Sequence, residues 1–236
     1  MTQHIGIVAC SAEGASLCYR TVCIEGAALL GEHDHPEVSM HTHSLAEYMK
    51  CIYRNDWDGV GDLMLSSAEK LAAIGADFLI CPDNTIHQAM PYVASRSPRP
   101  WLHIAHVVAE EAAARGFYRL GLTGTRYLTE SNVYPAEYAR PTAEERAEIN
   151  RIIFEELVYG KFEPKAVEYF QTVIGEFEEQ GCDAVVLGCT EIPLIISDAN
   201  SPLPVLDSTR LLARAALRRA TSPSPSSPSP SSDGPE

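Results

Sequence analysis

Apolar runs four or five residues long recur along the chain. They alternate with longer stretches in which apolar positions return every three or four residues. The short runs predict strands at Ile5–Ala9, Val38–His41, Phe78–Cys81, Leu102–Ala105, Arg119–Leu122, Ala184–Leu187 and Pro204–Leu206. The longer stretches predict helices at Glu13–Leu29, Leu45–Tyr53, Val60–Ile74, Val107–Arg115, Ala143–Tyr159, Lys165–Gln180 and Thr209–Ala220. Leu63, Met64, Ala68, Leu71 and Ile74, for example, fall on one buried helical face. Strand–helix alternation of this kind defines an α/β fold with parallel sheets.

An internal echo refines that picture. Gly75-Ala-Asp-Phe-Leu-Ile-Cys-Pro-Asp83-Asn-Thr85 can be laid on Gly181-Cys-Asp-Ala-Val-Val-Leu-Gly-Cys189-Thr-Glu191, each a glycine, an Asp, an apolar strand and a polar loop. His4-Ile-Gly-Ile-Val likewise echoes Arg119-Leu-Gly-Leu-Thr. The chain therefore reads as two pseudo-symmetric parallel-sheet α/β halves, 1–98 and 99–207, with a last helix at 208–220 packing back on the first half. Ligands of open α/β sheets bind at the carboxyl ends of the strands, which places a candidate site in the cleft between the halves, with Asp83 and Cys189 opposed. Residues 221–236, twelve of the sixteen Ser or Pro, are expected to form a disordered tail.

Composition narrows the function. Asp and Glu outnumber Lys and Arg by 32 to 18 with no basic block, which argues against a nucleic-acid partner. No apolar run approaches the ~20 residues of a membrane span, and the N-terminus carries no signal-peptide pattern. The seven cysteines, at 10, 18, 23, 51, 81, 182 and 189, form no CxxC pair, so reduced thiols and a cytoplasmic location are expected. Neither GxGxxG nor GxxxxGK[ST] occurs. His35, His41 and His43 lie near a strand end without the spacing of a zinc site, so no metal is assigned. With no lysine in a recognisable Schiff-base setting, no cofactor is expected either.

Leu187-Gly-Cys-Thr-Glu-Ile-Pro193 is the most informative segment. A cysteine at a strand end beside Thr190 and exposed turn amides suits a reactive thiol, or else a small residue closing a strand. In the second loop, Ile80-Cys-Pro-Asp-Asn-Thr-Ile-His87, Asn84 and Thr85 offer donors to a carboxylate and Asp83 could accept a proton; the same residues also suit a turn and helix cap. Gly124-Thr-Arg126 adds a third polar cluster.

These segments resemble the aspartate/glutamate/hydantoin racemase superfamily, the cofactor-independent racemases. The likeness runs from Ile5-Gly-Ile-Val through Asn84-Thr-x-His87, Gly124-Thr125 and Gly188-Cys-Thr-Glu-Ile-Pro193 to Leu203-Pro-Val-Leu-Asp-Ser-Thr209. It implies racemisation or epimerisation of a small, acidic amino acid by two groups flanking Cα, at the positions Cys189 and Asp83. It further implies substrate contacts from Ser11, Asn84, Thr85, Thr125, Thr190 and Lys165, and a homodimer. Two departures stand out. Asp83 replaces the customary cysteine, with Cys81 the second choice for that role. The His35–Met49 segment holds no arginine for a distal carboxylate, which argues against aspartate. Decarboxylation or cis–trans isomerisation through Cys189 alone, and a silent small-molecule binder, remain the alternatives.

Overall fold

A computed structural model describes residues 2–222. Met1 and residues 223–236, which include nearly all of the Ser/Pro segment, lie outside the described residues.

Among the described residues, seven strands form two parallel sheets. The first has the order β2 (Val38–Thr42), β1 (Ile5–Ala9), β3 (Phe78–Ile80), β4 (Trp101–Leu102). The second has the order β5 (Leu120–Thr123), β6 (Ala184–Leu187), β7 (Val205–Asp207). All the strand pairs are parallel. Because both faces are covered, β1, β3, β5 and β6 are buried at every position, and only Thr123 among their residues is polar.

The period-2 side-chain alternation of each strand divides three packed cores. Ile5, Ile7, Phe78 and Ile80 of the first sheet, with Leu120, Leu122, Ala184 and Val186 of the second, share one core with α1 (Ala12–Leu30), α5 (Ile104–Ala114) and α9 (Ser208–Thr221). The opposite face of the first sheet, Val8 and Leu79, packs with α2 (Leu45–Tyr53) and α3 (Trp57–Ala73). Val185 and Leu187 on the far face of the second sheet pack with α7 (Ala143–Glu155) and α8 (Pro164–Glu179). The helix α9 lies against α1 and α5.

The internal echo has a structural cause. Gly75 and Gly181 follow α3 and α8 with φ of 97° and 82°, a left-handed region that favours glycine. Two residues on, Asp77 Oδ2 accepts from His4 N at 2.7 Å and Asp183 Oδ2 accepts from Tyr118 N at 2.8 Å, each tying the new strand to the start of its neighbour. The same two acids donate their amides to the carbonyls of His4 and Arg119, both at 2.9 Å. Even the edge position of β2 has a counterpart, an isolated parallel bridge between Gly121 and Ala139.

Several expected elements shift. The fourth strand is Trp101–Leu102, not Leu102–Ala105; it pairs with β3, so the first sheet extends beyond residue 98. The apolar run from Ile104 instead opens α5, because the His103 ring caps it by accepting from Ala105 N at 3.2 Å. An apolar run of that length fits a buried helix as readily as a strand. Asp56 starts α3 at Trp57, three residues early, by accepting from Gly59 N at 2.9 Å. The short helices α4 (Met90–Val93) and α6 (Arg126–Thr129) were not expected.

Candidate active site

Four strands, two from each sheet, end at one cavity. Cys10 and Ser11 follow β1, Asp83 follows β3, Thr125 follows β5, and Cys189 to Glu191 follow β6. The cavity has a volume of about 50 Å³, room for roughly four water molecules at 10–15 Å³ each, which suits a small substrate. Of the residues expected at the site, Ser11, Asp83, Asn84, Thr85, Thr125, Cys189 and Thr190 all line it. Lys165 does not. It is exposed at the start of α8, in a separate surface depression with Glu148, Arg151 and Glu156, and is not brought together with the other expected site residues. Cys81 is fully buried under α3 and stays outside the cavity wall, where Asp83 is present instead. His41 and His43 are engaged elsewhere, with Ser67 at 2.9 Å and Ser66 at 3.3 Å.

Asp83 and Cys189 are each held by their own loop. Asp83 Oδ1 accepts from Ile86 N at 3.1 Å, fixing the carboxyl at the head of a 3₁₀ turn (Thr85–Ala89). The loop is locked from behind by His87. Its Nδ1 donates to the Asp83 carbonyl at 2.7 Å, while its Nε2 accepts from Ile104 N at 3.3 Å. Two backbone partners of opposite kind fix the neutral tautomer. Burial, with the neighbouring His103, lowers the His87 pKa to about 3, so this ring positions the loop and stays uncharged.

Asn84 is also a positioning group. Its amide donates to Ser208 Oγ at 2.9 Å and its carbonyl oxygen accepts from Tyr134 Oη at 2.8 Å. Ser208 in turn donates to the Leu187 carbonyl at 2.8 Å, so the Asp83 loop is fastened to the strand that carries Cys189. Across the cleft Thr85 Oγ1 and Thr125 Oγ1 lie 2.9 Å apart, and Ser11 Oγ and Thr190 Oγ1 lie 3.2 Å apart. These hydroxyl pairs join the two halves directly at the site. Gly14 permits the second: a Cβ there would come within 2.5 Å of Thr190 Cγ2 and 2.7 Å of the Pro82 carbonyl oxygen.

Two residues that sequence reasoning gave no role complete the chemistry. Glu191 Oε2 accepts from the Cys189 thiol at 3.0 Å and from Thr190 Oγ1 at 2.7 Å. Burial, then the Glu191 charge, pushes the Cys189 thiol well above its usual value, so it rests protonated. Cys10 lies beside the Asp83 carboxyl, and burial followed by that charge pushes it up too. Burial likewise raises Asp83, opposed by the Ile86 amide. The signal for Glu191 was its place in the Gly-Cys-Thr-Glu run; for Cys10 it was a polarisable side chain directly after β1. The wall of the cavity thus combines two thiols, two carboxyls and the aliphatic hydroxyls of Ser11, Thr85, Thr125 and Thr190.

Comparison with known proteins defines the class to which this fold and site belong. Residues 7–216 match the family described as Asp/Glu/Hydantoin racemase. The protein therefore belongs to the Asp/Glu/hydantoin racemase family, a family of isomerases. It is 23% identical over 172 residues, 69% of this chain and 73% of the relative, to the broad specificity amino-acid racemase RacX of Bacillus subtilis (strain 168). An aspartate racemase homologue from Pyrococcus horikoshii OT3 superposes with a TM-score of 0.78 at 28% identity, covering 94% of this chain and all of that one. The Picrophilus torridus aspartate racemase shares the fold at 20% identity, with a TM-score of 0.75 and 92% and 94% coverage. Among the described residues no helix is long and apolar enough to cross a membrane.

Proposed function

We propose that the protein racemises or epimerises a small amino acid without pyridoxal phosphate, using Asp83 and Cys189 as opposed acid/base groups. One observation carries the reading: Asp83 and Cys189, from matching loops of the two halves, line the same cavity. Among the described residues, no lysine that could form a Schiff base with a cofactor lines the cavity.

The α-proton of an amino acid is weakly acidic, so its removal requires a positioned base and donors that stabilise the charge developing on the carboxylate. Thr85, Thr125, Ser11 and Thr190 supply hydroxyls for that carboxylate, and Asn84 holds the Asp83–Thr85 loop in register. In one direction the Asp83 carboxylate takes the α-proton, and the resting Cys189 thiol donates its proton to the opposite face. In the reverse direction the thiolate of Cys189 takes the proton and Asp83, then protonated, returns one. The raised pKa of Asp83 makes it a stronger base than an exposed aspartate, and Glu191 is placed to hold the Cys189 proton between turnovers.

The reading carries with it a cytoplasmic homodimer, which light scattering on the purified protein tests. The activity is tested by NMR in D₂O with L- and D-amino acids, following the α-proton signal alongside chiral chromatography. Exchange with inversion is the expected result. No exchange with any amino acid overturns the reading.

A further inference from the structure

We infer that the substrate's side chain is aliphatic, not acidic, and that helices α2 and α7 read it. This inference rests on the racemase reading for its substrate class, and it departs from the acidic substrate that the sequence resemblance implied.

The cavity has two unlike sides. The strand ends supply the hydroxyls, thiols and carboxyls described above. Beside these, α2 contributes Leu45, Met49 and Ile52 to the lining, at spacings of four and three that put all three on one helical stripe. From the other half come Ile153 and Phe154 of α7 and Val158 of the 3₁₀ turn that follows it. A substrate whose carboxylate and amine meet the hydroxyls must turn its side chain toward this wall. Tyr127 completes the wall, its ring edge-on to Phe154 with centroids 6.4 Å apart.

Charge points the same way. Among the described residues no Lys or Arg lines the cavity, while the carboxyls of Asp83 and Glu191 do. A second carboxylate on the substrate would leave water without a cationic partner and meet two groups of its own sign. The guanidinium beside this wall, that of Arg126, is exposed: it lies 5.0 Å from the Tyr127 ring centroid and donates to Tyr127 Oη at 3.2 Å. Lys50 shares α2 but is exposed, off the Leu45–Met49–Ile52 stripe.

The test compares kcat/KM for both enantiomers of leucine, methionine and valine with those of aspartate and glutamate. The aliphatic substrates are expected to exceed the acidic ones at least ~100-fold, since the acidic group would be buried unpaired. Met49→Arg, which puts a cation on the wall, should lower the leucine value ~10-fold and raise that for aspartate or glutamate by about as much. Should that variant fail to fold, Leu45→Ala serves instead, with about a 10-fold loss on leucine and little change on alanine. Aspartate or glutamate turned over as fast as leucine by the wild type overturns the inference and leaves the racemase reading standing. If no amino acid exchanges, the racemase reading falls, and thermal shift decides the inference. Stabilisation by 4-methylpentanoate but not by succinate or glutarate supports an apolar subsite; equal or reversed stabilisation overturns it.

Discussion

Replacing Asp83 with Asn separates its chemical role from its structural one. The Asn side-chain oxygen can keep accepting from Ile86 N, where Asp83 Oδ1 now does so at 3.1 Å, so the turn retains a cap worth about 1 kcal/mol. The variant also removes a carboxyl whose pKa burial has raised. A raised pKa means the folded state favours the protonated acid, so ionised Asp83 costs stability at neutral pH and that cost fades as pH falls through its folded pKa. Asp83→Asn should therefore match or exceed the wild-type Tm at pH 7, with the advantage shrinking in acid. Catalysis should suffer heavily. General acid–base assistance is worth about 10²–10⁴-fold, or ~2.7–5.5 kcal/mol, and inversion should fall by that much in both directions. Exchange should not fall evenly. Cys189 still stands on its face, so one enantiomer should keep exchanging its α-proton in D₂O, with retention, while its mirror image stops. The measurement is NMR exchange on each enantiomer with chiral chromatography of the product. Inversion at wild-type rate, or equal residual exchange from both enantiomers, would refute the assignment.

Cys189→Ser should reduce inversion at least ~10³-fold while leaving the fold intact, read by the same assay with circular dichroism as control. Glu191→Gln removes the charge that helps keep the Cys189 thiol protonated, so alkylation of Cys189 by iodoacetamide should shift to lower pH; an unchanged or upward shift would contradict the hydrogen bond seen here. His87, neutral with a pKa near 3 when folded, takes up a proton on unfolding once the pH drops below ~6.5. From there down to about 3 it should contribute a loss of stability with a slope of up to ~1.4 kcal/mol per pH unit, detectable by denaturant titration and reduced in His87→Gln.

The fold was legible wherever backbone geometry and side-chain pattern agreed. The strands at Ile5–Ala9 and Ala184–Leu187 are apolar because both their faces are buried, and the glycine–Asp echo survives because each Asp pins a strand start. Boundaries set by a single capping side chain, His103 for α5 and Asp56 for α3, left only a local signal that the apolar pattern outweighed. At the site, Asp83 and Cys189 could be paired from repeat spacing alone. Their supports could not: Tyr134 reaches Asn84 across fifty positions, and Ser208 reaches it from more than a hundred away. Lys165 lies apart from the other expected site residues, because an offset along the chain does not tell which way the start of α8 faces. The apolar wall comes from two helices far apart in sequence, and each stripe alone reads as ordinary core.

The contact between α1 and α9 bears on how the protein is made. Ala15, Cys18 and Val22 of α1 share their core with Leu212, Ala213, Ala216 and Leu217 of α9, and Arg214 grips Glu25 with two hydrogen bonds of 2.8 Å. Gln3 N donates to the Ala220 carbonyl at 2.9 Å, tying the segment before β1 to the last turn of α9. A ribosome adding about 5–20 residues per second leaves α1 waiting roughly 10–40 s for its partner. Throughout that interval the nascent chain carries an uncovered apolar helix face, a natural target for chaperones. A polypeptide released before Ser208 would never bury it.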